Sequence, residues 1–404
     1  MKSALKIALG IVTSMAGFLE VGSISTAAQA GAAFRFRLLW AILAATICLI
    51  ALVEMSGRLA ASSGHTVSDA VRERFGFRFS AVPLAAEIVL DTLVLAAEIG
   101  GAAVAIELAT SVGREWWILP IAFAAWLLLW RGSFGLIENG ISLLGLVSLA
   151  FVVGAVRMHP GTGAVASGLV PTLPPERFAK YGLLAVSILG ATVSPYLVNF
   201  YASGAVEERW KPKDIPMNRV VAVFGMGFGS VVNAAVLVCA AVVLAPRGVD
   251  VQTFRPVAET LLPVFGRWGV PLFAAILGFG CFGAALEVAL NLAYAVAQQL
   301  GWNWGEDVRP KREARFALVY TAVLALSALV IVSGIPPMKL TMISMALTVL
   351  VQPIIVFPFL VIMNDPLYVG RHGNGLVGNA MVVAITAMGA LMAVVAIPLE
   401  IFGS

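Results

Sequence analysis

Glu20 stands about midway along the first apolar stretch of this chain, in the run Leu19-Glu20-Val21-Gly22-Ser23-Ile24-Ser25. An ionised side chain there is expensive unless it is paired, protonated or bound to a cation. A second glycine-bearing polar run, Gly190-Ala191-Thr192-Val193-Ser194-Pro195-Tyr196, interrupts another apolar stretch. A carboxylate, hydroxyls and released main-chain carbonyls together can hold a cation. The plainer reading of Glu20 is a structural carboxylate that caps the half-helix beyond Ser23 by accepting from its exposed N–H groups. Glu87, Asp91 and Glu98 are spaced by four and seven residues, so a helix puts all three on one face. Such a stripe can relay protons or draw cations inward, while Glu87 also reads as a solvated residue near the cytoplasmic end. Glu287 and Asn291 are four apart and deep in an apolar run, which makes Glu287 a candidate for a further site residue. The alternative for it is packing against a buried Asn or Tyr. Glu54 with Arg58, and Glu138 with Arg131, read as structural pairs at helix ends, the first at the usual helical ion-pair spacing.

The elements that position these residues must cross a membrane. Of 404 residues, 60% are hydrophobic and 12% charged, which is too much apolar surface for a soluble domain to bury. About eleven runs approach the ~20 residues that span a bilayer core. They lie near residues 5 to 27, 37 to 57, 80 to 109, 116 to 131, 136 to 157, 180 to 204, 218 to 245, 268 to 299, 315 to 335, 338 to 363 and 375 to 402. The first begins just after Lys2 and Lys6 with no cleavage motif, and so reads as a span and not as a removable leader. Backbone inside hydrocarbon leaves helical pairing only where it lines a buried cavity. Two interrupted spans in corresponding halves therefore point to a binding site at the midplane of a secondary transporter.

Cys48, Cys239 and Cys281 fall in apolar runs without metal-ligand spacing and read as packing residues, and His65, His159 and His372 fall in loops. No phosphate loop or nucleophile motif occurs, so the chain reads as neither an ATPase nor an enzyme, and no cofactor is expected. The net charge of +4 is small, and Lys and Arg gather between spans, as membrane topology requires and nucleic-acid binding does not. With the N-terminus in the cytoplasm, Arg58, Arg72, Arg74 and Arg78, then Arg209, Lys211, Lys213 and Arg219, then Arg309, Lys311, Arg312 and Arg315 all lie inside. An odd number of spans leaves the C-terminus outside. Residues 1–404 form one polytopic domain in this reading. Spans 1 to 5 (about 5–157) and 6 to 10 (about 180–363) are inverted repeats, and span 11 (about 375–402) is an addition.

The first interrupted run, followed by Gln29-Ala30-Gly31-Ala32 and Arg37-Leu38-Leu39-Trp40, resembles the first span of the NRAMP transporter family, whose motif there is Asp-Pro-Gly-Asn. The second run is similar to the family's Gly-Ala-Thr-Val-Met-Pro-His. Val232-Asn233-Ala234-Ala235 and the segment from Gln352-Pro353 to Pro358 extend the likeness over nearly the whole chain. The resemblance implies an all-α LeuT-type fold of 5+5 inverted repeats with about eleven helices, the first and sixth broken. It also implies import of Mn²⁺ or Fe²⁺, usually with protons, across a bacterial plasma membrane. The positions matching the family's metal ligands are Glu20, Ser23, Ala191 and Ser194, with Gly22 in place to let the chain leave helical geometry. Glu98, Asp91, Glu287, Asn291, Tyr196 and Asn233 are possible further residues of the site or of a proton path.

Departures from the family pattern shape the expected function. Ser194 replaces the family's thioether, and oxygen ligands suit hard ions such as Mg²⁺ or Ca²⁺. Tyr196 and Tyr201 stand at its two histidine positions in span 6, and Val94 or Leu95 at its span-3 aspartate. Tyrosine does not titrate near neutral pH, so proton coupling is expected to be weak or absent. The first reading is thus a transporter of divalent cations of the Mg, Ca or Mn type through an oxygen-lined midplane site. The second is a transporter of a small organic acid or metal-carboxylate complex, with Ser23 and Ser194 at half-helix ends receiving the acid. A membrane sensor is a third, though it would usually need a signalling domain. Lipid is the only other partner expected, with no obligate protein partner.

Overall fold

The computed structural model describes residues 20–131, 146–172, 177–305 and 310–402, and every regular element among them is helical. The first set comprises α1 (Val21–Phe34), α2 (Leu39–Ser63), the short α3 (Val67–Phe75), α4 (Phe77–Thr110) and α5 (Glu115–Arg131). Next come α6 (Leu149–Arg157), α7 (Thr162–Ser167), α8 (Phe178–Thr192), α9 (Pro195–Glu207) and α10 (Ile215–Val243). The chain continues through the short α11 (Phe254–Glu259) and α12 (Leu262–Phe265) into α13 (Gly269–Leu300), α14 (Ala314–Val332), α15 (Pro337–Ile362), the short α16 (Pro366–Val369) and α17 (Leu376–Phe402).

Among the described residues, eight helical stretches are long and apolar enough to cross a membrane, the α8–α9 pair counting as one. The described part of α5, 17 residues long, rises about 25 Å. Most of the first expected span, the first half of the fifth and Glu138 lie outside the described residues. The bundle's exterior carries large apolar side chains such as Phe123, Phe224, Leu318, Leu329 and Leu391, as a lipid-facing surface must.

Small residues set how closely the helices pack, as is usual where lipid removes the hydrophobic drive for association. α4 is the hub and lies against α13, α15 and α14; α1 lies against α10, α8 and α15. A methyl on Gly31 would run into the main-chain oxygen of Leu237 in α10. One on Gly190 would run into that of Met345 in α15. These two contacts bring the backbones of α1 and α8 against neighbours that a larger residue would hold away.

The expected pair Glu54–Arg58 is present at 2.9 Å. Arg58 also donates to the carbonyl of His372 and to Asn374 Oδ1, which ties the end of α2 to the turn before α17. Tyr201 donates to Asn218 Oδ1 at 2.9 Å, and Asn218 in turn donates to the Glu54 carbonyl, so Tyr201 belongs to this structural network. At the other end of the molecule, Lys180 meets Asp250 at 2.9 Å. Hydrogen bonds from Lys180 and Gln252 hold the Asp250 carboxyl below the usual carboxylate range.

Candidate functional site

Two helix ends meet at the centre of the bundle. α8 stops at Thr192 because Pro195, first residue of α9, has no N–H to donate, and Val193 (φ −101°, ψ 60°) and Ser194 (φ −77°, ψ 129°) leave helical geometry. The break falls inside the expected interval. At the other end, Glu20 is extended (φ −97°, ψ 171°) and α1 begins at Val21. The polar run around Glu20 is therefore helical from Val21 onward, further toward the N-terminus than the sequence implied. Gly22 is not among the glycines with positive φ, so freedom to unwind is not its role. Its role is space: a methyl there would lie 2.8 Å from Met345 Cε and 3.0 Å from Glu20 Oε1.

Glu20 does not cap α1, contrary to the plainer sequence reading. Glu98 of α4 does so, since the Val21 N–H donates to both its carboxylate oxygens at 3.2 Å. The thiol of Cys281 in α13 lies within electrostatic range of the same carboxylate. With the helix end satisfied by Glu98, Glu20 is left for other work. It is 1% exposed, its Oε2 accepts from the Tyr196 hydroxyl at 2.8 Å, and its Oε1 has no hydrogen-bond partner among the described residues. No Lys, Arg or His pairs with it among the described residues. The Tyr196 bond joins the two breaks directly, because Tyr196 is the second residue of α9.

Two further hydroxyls near these breaks, Ser23 Oγ and Thr192 Oγ1, are buried without partners. Ser194 donates to the carbonyls of Gly190 (3.2 Å) and Ala191 (3.4 Å). Its proton is thereby committed to the end of α8, which leaves the oxygen's lone pairs able to coordinate a cation. The thioether of Met345 completes the surroundings: its sulfur lies 3.1 Å from the same point beside Gly22 that is 3.0 Å from Glu20 Oε1. The soft atom missing from position 194 has a counterpart on another helix.

The carboxylate stripe of α4 is wholly buried, Glu87 at 4%, Asp91 at 2% and Glu98 at 0% exposure, so Glu87 is not solvated. Asn291 donates one amide nitrogen to both Glu87 Oε1 (2.9 Å) and Asp91 Oδ2 (3.1 Å), and Asn199 of α9 donates to Glu87 Oε1 at 2.7 Å. Asp91 lies within electrostatic range of Glu20 as well as Glu87. Glu287 is buried and within electrostatic range of Tyr196. Asn233 is fully buried in α10, which packs on α1, and neither end of its amide has a partner. No hydrogen bond links it to Glu20.

Met345, Thr192 and Asn199 were not legible as site residues from sequence. Met345 is one of 13 methionines in an apolar chain, and only the packing of α15 on α1 and α8 brings its sulfur to Glu20.

Known proteins share this chain's sequence pattern and architecture. A curated relative from Deinococcus radiodurans, a "divalent metal cation transporter MntH", is 27% identical over 68% of this chain and 65% of its own length, so that alignment spans just under two thirds of the relative. One of the same description from Pectobacterium carotovorum subsp. carotovorum is 25% identical over 92% of this chain and 90% of its own. Among solved structures, the Eremococcus coleocola manganese transporter in complex with an aromatic bis-isothiourea substituted compound superposes with a TM-score of 0.80 at 19% identity, covering 100% of this chain and 88% of that one. The shared architecture is the all-helical LeuT-type fold. The family described as natural resistance-associated macrophage protein-like matches residues 10–398, nearly the whole length, and the chain belongs to that family.

Proposed function

We propose that this protein carries a divalent metal cation across the membrane through the junction of α1, the α8–α9 break and α15. The observation that carries the reading is Glu20: a buried carboxylate between two helix ends, with one oxygen unpartnered and no basic side chain paired with it among the described residues. An uncompensated buried carboxylate costs several kcal/mol, and a bound cation removes that cost. Glu20 supplies the charge in this reading. Ser23, Ser194, Thr192 and the Ala191 carbonyl are the candidate neutral oxygens, and Met345 supplies a thioether. Carboxylate plus thioether suits Mn²⁺ and softer ions better than an oxygen-only set would, while Mg²⁺ and Ca²⁺ remain able to compete. The relatives described as divalent metal cation transporters support this class of cargo.

The organic-acid reading needs helix N-termini open to a carboxylate. The Val21 N–H already serves Glu98, and α9 starts with a proline that has no N–H to give. Both features favour the cation. Proton coupling through span 6 is not part of the proposal. Tyr196 donates to Glu20 and Tyr201 to Asn218, and a phenol with an ordinary pKa near 10 exchanges no proton at neutral pH. Orientation follows the basic loops, with the α3 end in the cytoplasm.

Thermal unfolding of the purified protein with Mn²⁺, with a small organic acid, and with both tests the reading. A ligand of the folded state at about a hundred times its Kd adds about 2.7 kcal/mol. Mn²⁺ alone is expected to stabilise the wild-type protein, and Glu20→Gln distinctly less. Stabilisation by the acid alone, or by Mn²⁺ only when the acid is present, would overturn it.

A further inference from the structure

The shared amide of Asn291 marks a second place where a cation belongs. Glu87 Oε1 and Asp91 Oδ2 both accept from Asn291 Nδ2, and Glu87 Oε1 also accepts from Asn199 Nδ2. Neither carboxylate pairs with a Lys, Arg or His among the described residues. The other end of each amide is unsatisfied: Asn199 Oδ1 and Asn291 Oδ1 are buried without a partner among the described residues, in residues 6% and 0% exposed. Two carbonyl oxygens on these amides are thus held without donors beside two carboxylates held without positive charge. Each half of that arrangement lacks the same thing.

We propose that Glu87, Asp91, Asn199 and Asn291 form a second divalent-cation site, on the α3 side of the helix breaks. Half a turn of the Asn291 amide exchanges its nitrogen for its oxygen with little change in shape. The side chain bridges the carboxylates as a donor when no cation is there, and serves as a ligand when one is. Asn199 can turn in the same way. Four oxygens, two of them charged, make a hard-ion set that suits Mn²⁺, Ca²⁺ or Mg²⁺. Oxygens bound to one ion lie about 3 Å from each other, so with the amides turned the present 2.7 to 3.1 Å separations between the Asn and carboxylate atoms match those of a shared ligand set.

Narrow voids adjoin the site. One of about 30 Å³ is lined by Val67, Ser68 and Val71 of α3 and reaches Glu87 and Asn199. A second, of about 10 Å³, shares Val67 and Asn199 with it and reaches Val193 and Pro195 at the α8–α9 break. Asn199 therefore lies on both, between the helix breaks and the α3 surface. The site's existence rests on its own geometry; its use as a way station for cargo leaving Glu20 rests on the transport reading above.

The test is Mn²⁺ alone, titrated into the purified full-length chain and counted from the electron paramagnetic resonance signal of the free ion. Two Mn²⁺ per chain are expected in the wild type, one in Glu87→Gln/Asp91→Asn, one in Glu20→Gln and none in the triple variant. Asn291→Asp, which adds a third carboxylate, is expected to tighten the second site about tenfold or more, and gives a reading if the double variant does not fold. One Mn²⁺ that is lost in Glu20→Gln, kept in Glu87→Gln/Asp91→Asn and unaffected by Asn291→Asp overturns this proposal and leaves the helix-break site standing. One that is lost in the double variant and kept in Glu20→Gln overturns the helix-break site and leaves this one.

Discussion

At Glu20 the chemistry turns on what its neighbours have already taken. Glu98 occupies the end of α1, Tyr196 occupies one oxygen of Glu20, and the remaining oxygen faces no donor. In the proposed reading that division of labour separates the two carboxylates: Glu98 caps α1, and Glu20 is the one that would meet cargo. Met345 adds the softer atom. Met345→Leu keeps volume and removes sulfur, so it is expected to lower the preference for Mn²⁺ over Mg²⁺ by roughly ten- to hundredfold, the range seen when a supporting group of a metal site is lost. Competition of Mg²⁺ against Mn²⁺ uptake measures this directly. An unchanged ratio removes Met345 from the site. Glu20 was readable in the sequence because charge inside an apolar run is rare. Met345 and Asn199 were not, because a methionine in a span looks like packing, and an asparagine reveals nothing until its partner Glu87 is known.

Among the elements, position depends on contacts between backbones more than on side-chain bulk. α8 must reach α15 closely enough for Met345 to sit beside the end of α1, and Gly190 permits that approach. Gly190→Ala puts a methyl against the Met345 carbonyl, and overpacking of this kind costs about 1–3 kcal/mol. A lower unfolding midpoint and reduced cation affinity are expected together, because the displaced residue is itself a candidate ligand. Gly204→Ala in α9 meets nothing within 4 Å, and serves as the control, expected to be neutral or slightly stabilising. Equal midpoints for the two variants would show that the close contact is not limiting. The break in α8–α9 was visible in Ser194-Pro195, since a proline that lacks its donor has a local cause. The start of α1 was placed too far along, because nothing in Val21-Gly22-Ser23 shows that Glu98, 77 residues away, supplies the cap. Burial of the α4 stripe was likewise hidden: the spacing of Glu87, Asp91 and Glu98 fixed one face, but only the packing of α4 on α13 shows what that face meets.

For the whole molecule, the central claim is that the junction of broken helices exists to move a cation, with Glu20 as the charged ligand. The long apolar helices and lipid-facing exterior put that junction in a membrane, and membership of the Nramp family makes divalent metal the natural cargo to test. The most direct measurement is Mn²⁺ uptake into proteoliposomes, comparing the wild type with Glu20→Gln at equal amounts of folded protein. A carboxamide of the same shape cannot replace the carboxylate's charge in a site of low dielectric. Concentrative or gradient-driven Mn²⁺ entry in the wild type, and loss of at least nine-tenths of it in Glu20→Gln, is the result expected; Mn²⁺ entry at the wild-type rate in well-folded Glu20→Gln would contradict it.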